Sequence, residues 1–519
     1  MLETYNTQGV AESAQHSNPA PQWPQLAIDR VKRGGLVEQI VAGITALARQ
    51  RELRIGSKMP SVRQFAKSNG VSTFTVVEAY DRLVTLGLLS SRRGSGYFLA
   101  RNDVNSELNP SANRGPASPA TSGSQLLATS VDALSTDLYS GVSEALPAGS
   151  GWLPPEWYGE STILDAVRHA MRIPACRLRG YGNPLGFPAL RQYLAATLAD
   201  DLFAVEPDQI LLTHGASHAF DLVLRTLTKP GDTVFVEDPG YSNLLSLIRH
   251  HGCIPVGIPR SEAGLDLDIL LERAAVHQPK LMFVNTVLQN PLGTSLSQAQ
   301  AHKLLRLAEQ FDFWIVEDDI YRELLPLAAR NEPSLAAMDG LRRVIRVGSF
   351  SKTLSPTLRV GSIAASASLL PELVRVKMLV GLTTSEINER AVYHAISARP
   401  YKRMLERLGV QLDAARERSL ANLQDAGLTP LARPRGGMFV SAGWDCAPTP
   451  EFNGKAVADQ ALKAGILLSP SDFFTLAPPA TIWFRFNIAY ADRQELSVFL
   501  QTVRTAHRSA VLPFCGPAT

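Results

Sequence analysis

Cysteine is scarce in this 519-residue chain: only Cys176, Cys253, Cys446 and Cys515 occur, with no CxxC pair and no histidine at metal-ligand spacing. That pattern excludes a disulfide framework and a zinc site, and reduced thiols are expected. Long apolar runs are missing too. None reaches the roughly 18–20 residues that a membrane-spanning helix needs. Residues Met1–Gln25 are polar and lack a basic start followed by an apolar stretch, so no secretory signal is read there. Residues 1–28 read as a disordered lead-in, and the expected compartment is cytoplasmic. Basic residues outnumber acidic ones heavily in one region. Between Arg30 and Arg101 lie thirteen Lys or Arg and four Asp or Glu, a local charge of +9 against +3 for the whole chain. A basic module on a mildly acidic body points to a polyanion partner for the module alone, the other reading being a solvated basic face.

What is present is ordinary globular material, 45% hydrophobic and 19% charged. The length calls for two or three domains. Residues 29–100 are dense and helix-patterned. Residues 101–131, with NPSANRGPASPATSGS, hold few large apolar side chains and read as a flexible linker. From 132 to 519 short apolar runs alternate with helical stretches: Ile210–Thr213, Thr233–Glu237, Leu281–Asn285, Phe313–Glu317, Val344–Ser349 and Val360–Ala364. This alternation predicts an α/β fold with a mainly parallel sheet, whose ligands sit at the strands' carboxyl ends.

In the basic module, Leu36, Ile40 and Ile44 repeat at helical spacing over Leu36–Arg49. The tract MPSVRQFAKSNG predicts a second helix, with Pro60 in its first turn and Gly70 at its end. Ser72 can cap a third helix, which buries Val76, Tyr80 and Leu83 and stops near Leu86–Gly87. Leu88–Ser90 and Tyr97–Leu99 read as strands joined by a basic tip with Arg92, Arg93, Gly94 and Gly96. The start of the third helix presents Ser72, Thr73 and Thr75 towards base edges and phosphates. Met59–Arg63, Gly70–Ser72, Thr75–Val76, Leu83–Leu88 and Arg93–Gly96 resemble the winged helix-turn-helix of GntR-type regulators. The resemblance implies DNA contacts at Ser61, Arg63, Ser72, Thr73, Thr75, Arg92, Arg93, Gly94 and Gly96. The family often carries Arg or Asn after the serine of the turn, where this chain has Thr73-Phe74. No base preference follows.

In the large region, candidate groups follow the short apolar runs in order. Gly215-Ala216-Ser217 follows ILLT, Asp238-Pro239-Gly240-Tyr241 follows TVFVE, and Asn290-Pro291-Leu292-Gly293 comes after LMFVNTVLQ. Asp318 follows FWIVE with Tyr321 beyond it, and Ser349-Phe350-Ser351-Lys352 precedes Arg359. Around pyridoxal 5′-phosphate each type has a job. Lys352 can form a Schiff base, Asp318 can keep the pyridine nitrogen protonated, and Asn290 and Tyr321 can donate to the ring oxygen. Tyr241 can stack on the ring. The N–H groups of Ala216 and Ser217, the hydroxyls of Ser349 and Ser351, and Arg359 can take the phosphate. Arg485, in TIWFRFNIAY, can clamp a substrate carboxylate. Asp319 reads as a satisfied strand-end carboxylate, His214 and His218 as structural, and His250-His251 as an exposed helix end.

This set resembles the fold-type I, aspartate-aminotransferase-like enzymes. The likeness implies a smaller C-terminal α/β lobe, a homodimer, and Tyr181, in YGNPLGFPALR, reaching the partner subunit's phosphate. Together the halves resemble the MocR-type regulators, which implies binding of double-stranded operator DNA controlled by the cofactor or by an amino-acid-like effector. A working aminotransferase with an accessory DNA module, or a DNA-binding protein whose large domain is only a scaffold, remain alternatives.

Overall fold

The computed structural model describes residues 35–49, 56–85, 88–92, 96–100, 145–158, 160–173, 179–200, 204–326 and 334–511. The lead-in 1–28, the linker 101–131, Gly87, Arg93, Gly94, Cys176 and Cys515 lie outside them. The chain divides into two compact units, Met1–Thr121 and Ser122–Thr519.

The small unit contains α1 (Leu36–Arg49), α2 (Val62–Asn69), α3 (Thr73–Thr85) and a hairpin of β1 (Leu89–Arg92) and β2 (Gly96–Leu99). Its core is the apolar stripe foreseen from the spacing: Ile40, Ile44, Val76, Tyr80 and Leu83 are all fully buried. The start of α2 differs from expectation. Ser61, not a residue before Pro60, is the N-cap; its hydroxyl accepts from Gln64 N while the Gln64 side chain accepts from Ser61 N. Pro60 therefore precedes the helix, because a reciprocal capping box satisfies two orphan donors where proline in the first turn would need none. Gly70 ends α2 at φ 63°, and Ser72 caps α3 through Thr75 N.

In the large unit the main sheet has the spatial order β3 (Ile210–Thr213), β10 (Gly361–Ala364), β9 (Val344–Ser349), β8 (Trp314–Asp318), β7 (Leu281–Val284), β4 (Thr233–Asp238), β5 (Ile254–Ser261) and β6 (Gly264–Leu265). Neighbours from β9 through β5 pair in parallel. β10 runs antiparallel to both β3 and β9, so these two point the same way. The carboxyl ends of β3, β9, β8, β7 and β4 thus share one edge, and the start of β10 joins them. Apolar helices and strands cover both faces in two large clusters. A second sheet, ordered β11 (Thr429–Pro430), β12 (Phe439–Trp444), β14 (Ile482–Asn487) and β13 (Ser469–Pro470), brings the C-terminal part of the chain to the same region.

A buried ion pair ties the ends of β4 and β5 to β7. Arg260 donates to Glu237 at 2.8 Å, Asn285 N donates to the same carboxylate at 2.9 Å, and both charged side chains are sealed from solvent. Arg260→Met leaves the carboxylate buried without its cation. We expect a loss of about 3–5 kcal/mol in denaturant unfolding, whereas a surface pair such as Arg168–Asp165 would cost under about 1 kcal/mol.

Candidate active site

The shared strand edge gathers most of the residues singled out from the sequence. Beyond β9, Lys352 lies in a turn, and its Nζ donates to Gly151 O at 2.5 Å. Removal from water, then the nearby Arg485 charge, pull its pKa from 10.5 down to about 8, with Asp318 opposing and Arg359 assisting. Asp318 ends β8 and is buried. Burial drives its pKa up from 3.8 to about 7, against hydrogen bonding from Asn285 and from Ile320 N. Tyr241, at the start of the helix Ser242–His250, lines a small cavity with Asp318. Tyr321 is buried, its ring edge-on to Phe439.

Arg485 projects from β14. Its guanidinium donates to Asn290 Oδ1 at 2.9 Å and to Gly149 O at 2.6 Å, and lies 4.3 Å from the Phe439 ring centre. It is buried, so its charge acts through a poorly screened medium on Lys352.

A second group of donors converges beside the helix Ala216–Leu227. Gly215 is its N-cap at φ 80°, a left-handed conformation that favours glycine. A Cβ there would meet Arg359 Nη2 at 2.7 Å. Arg359 reaches His214 O and the Ser351 hydroxyl, each at 3.2 Å, and the Ser349 hydroxyl is 3.2 Å from that of Ser351. The unsatisfied N–H groups of the helix start, two hydroxyls and one guanidinium make a cradle for an anion.

Several elements carry no sequence signal. Ser150 and Trp152 are drawn in by Asn487, whose Nδ2 reaches Trp152 O at 2.6 Å and Ser150 O at 3.2 Å, and Gly149 O accepts from Arg485 and from the Ser469 hydroxyl. Asn285 Nδ2 holds Asp318 O at 2.9 Å. No local pattern marks either asparagine. Tyr158 donates to Lys352 O at 3.0 Å and fixes the lysine turn from the other side. Asp319 is paired with Arg322 and Arg346. His218 Nδ1 accepts from His214 N at 3.1 Å, and burial lowers the His218 pKa to about 4. His251 is not an exposed helix end: it is largely buried and meets Asp221 at 2.7 Å. Tyr181 stands apart from the cluster, 84% exposed.

In the small unit Ser61, Arg63, Ser72, Thr73 and Gly96 are exposed, and Thr75 is partly so. Ser61, Ser72 and Thr75 spend hydroxyl contacts on capping. The backbone of Arg92 closes the hairpin opposite Gly96. Among the described residues no helix is long and apolar enough to cross a membrane, and no cluster could hold a metal ion.

Comparison with known proteins follows the same two-part division. The family model "Aminotransferase class I and II" matches residues 158–503, and "Bacterial regulatory proteins, gntR family" matches residues 36–99. The chain is 27% identical over 470 residues to the uncharacterized HTH-type transcriptional regulator YdfD of Bacillus subtilis, covering 90% of this chain and 95% of that one. It is 28% identical over 386 residues to the probable rhizopine catabolism regulatory protein MocR of Rhizobium meliloti, covering 74% and 76%. Its structure is similar to LysN, the α-aminoadipate aminotransferase of Thermus thermophilus, solved with N-(5′-phosphopyridoxyl)-L-leucine. The TM-score is 0.65 at 27% identity, over 73% of this chain and 96% of that one.

Proposed function

Because the chain belongs to the class I and II aminotransferase family and carries a GntR-type helix-turn-helix, we propose that it is a cytoplasmic, homodimeric transcription regulator that binds operator DNA and responds to an amino-acid-like effector through pyridoxal 5′-phosphate. One observation carries this: a desolvated lysine, a buried carboxylate and a group of anion-directed donors share one strand edge, with a buried arginine from the second sheet hydrogen-bonded to Asn290 there, in a chain that also carries a basic helix-turn-helix module. The donor set suits the cofactor on structural grounds. The cradle at Gly215, Ser349, Ser351 and Arg359 answers a phosphate dianion, and Asp318 answers a ring nitrogen.

When bound, that group supplies an aldehyde that condenses with amines and a ring that withdraws electrons. Lys352 provides the amine, partly neutral near physiological pH. Asp318 would be held ionised by the charge of a protonated ring nitrogen placed opposite it. Asn290 and Tyr321 would hold the ring oxygen and Tyr241 would cover the ring face. The Arg485 fork takes the carboxylate of an incoming amine by two parallel hydrogen bonds. An effector shifts DNA binding only by as much as it favours one conformation over the other. Tyr181, exposed in its own chain, serves the partner subunit's phosphate.

The second reading, a working aminotransferase, has one observation in its favour: the lysine, aspartate, asparagine and both arginines are all present. The two are separated by titrating the purified protein with single amino acids beside a DNA-binding assay. A regulator shows a saturable spectral change that alters DNA affinity. Rapid multiple turnover with keto-acid release overturns the regulator reading. For the DNA module, Arg63→Ala is expected to weaken binding to all duplexes and flatten the slope of log affinity against log salt by about 0.9. An unchanged slope removes Arg63 from the interface.

A further inference from the structure

The outward face of α3 is unusual for a surface meant to meet a polyanion. Its buried stripe is Val76, Ala79, Tyr80 and Leu83, and the opposite stripe is Phe74, Val77, Glu78 and Asp81 at the same helical spacing. Phe74 is 76% exposed and Val77 39%; these are the only large apolar side chains left exposed among the described residues of the small unit. The stripe carries no cation. The one arginine of α3, Arg82, donates to Glu38 at 2.9 Å, and Asp81 accepts from the Tyr97 hydroxyl at 3.1 Å. Ser72 and Thr75 are turned to each other as the cap. The positive charge sits instead just before α3, where Lys58, Arg63 and Lys67 are exposed and make no ion pair among the described residues.

We propose that Phe74, with Val77 beside it, reads a thymine methyl group in the major groove, while Lys58, Arg63 and Lys67 hold the phosphates. This rests on the reading of the small unit as DNA-binding. The C5-methyl of thymine is the one apolar feature that the major groove offers. A phenyl ring pressed on the amino group of cytosine or the oxygen of guanine would strip water from a polar atom and return no hydrogen bond. Exposed cations on the segment that leads into α3, in the same small unit, make duplex DNA a better-matched occupant than an apolar protein surface, which would gain nothing from them. The apolar pair therefore supplies selectivity that the phosphate contacts lack.

The test uses the full-length protein and duplexes enriched from a random-sequence pool. Each thymine of an enriched duplex is replaced singly by deoxyuridine, which removes only the methyl. At one thymine or more, the replacement should weaken wild-type binding by about fourfold, the effect of unburying one methyl-sized group. Phe74→Ala, at an exposed position that leaves the fold intact, should bind the thymine duplex as weakly as wild type binds the uracil one, and should ignore the replacement there. Wild-type binding indifferent to every methyl, or a Phe74→Ala protein that keeps the full uracil penalty, overturns the assignment. If methyl-blind binding is accompanied by weakened self-association in Phe74→Ala, the ring is a protein contact instead. Failure to enrich any duplex sinks the DNA-binding reading itself, and this assignment with it.

Discussion

Lys352→Ala is expected to abolish covalent, borohydride-trappable attachment of pyridoxal phosphate to the protein and, by weakening cofactor retention, to blunt the response of DNA binding to amino acids. Intact-mass measurement after reduction reads the first effect directly. The anion cradle is untouched by this change, so weak non-covalent binding of the phosphate should persist. The wild-type pH dependence carries the same information. The reactive form of the lysine is the neutral amine, and its pKa is lowered from 10.5 to about 8 by burial first and by Arg485 next. Below that pKa the neutral fraction grows about tenfold per pH unit, so capture should rise about tenfold between roughly pH 6 and pH 7 and level off above about pH 8. An amine left at its ordinary value would keep gaining speed beyond roughly pH 9. Arg485→Gln removes the charge that helps depress the lysine, so the plateau should move to higher pH. A plateau unmoved by that substitution would show that the two groups do not feel each other.

The residues of this site were legible from the sequence to the extent that a parallel sheet presents its chemistry at strand ends. Asp318, Ser349–Lys352 and Gly215–Ser217 each follow a short apolar run, and the topology alone brings them to one edge. The direction of a run was not legible. Val360–Ala364 looks like its neighbours, yet β10 is antiparallel on both sides, and that reversal is what places Arg359 at the cradle. Contacts between distant segments were hidden for a different reason. Asn487 meets Ser150 and Trp152 across more than three hundred residues, and neither partner has a periodicity that betrays it. α1 was readable to its last residue, because a 3.6-residue apolar repeat depends only on the helix itself. The start of α2 was not, since Pro60 and Ser61 are both good openers and only the Gln64 side chain, reaching back, decides between them. Tyr181 is the exception: its motif resembles an active-site one, yet its side chain is 84% exposed in this chain.

Gly215→Ala and Arg359→Gln are expected to produce the same defect by opposite means. Arg359 sits at φ 51° and spans the gap between His214 O and the Ser351 hydroxyl, at 3.2 Å from each. Glutamine removes the charge and the fork. Each lost charge-assisted bond to a phosphate is worth about 1.5–3 kcal/mol, so affinity for pyridoxal phosphate should fall by roughly a hundredfold. Alanine at 215 leaves the arginine in the sequence but puts a Cβ 2.7 Å from its Nη2, at a backbone φ of 80° that side chains rarely adopt. The strain, of order 1 kcal/mol or more, is relieved most readily by pushing the guanidinium out of the cradle. The double variant should therefore be little worse than either single one, since both remove the same interaction. Pyridoxal without its phosphate provides the control. Its binding should scarcely change in any of the three proteins, because the cradle has nothing to hold. Equal losses for both vitamers would mean that Arg359 supports the lysine turn rather than the anion, and additive losses in the double variant would mean that Gly215 and Arg359 act on different groups.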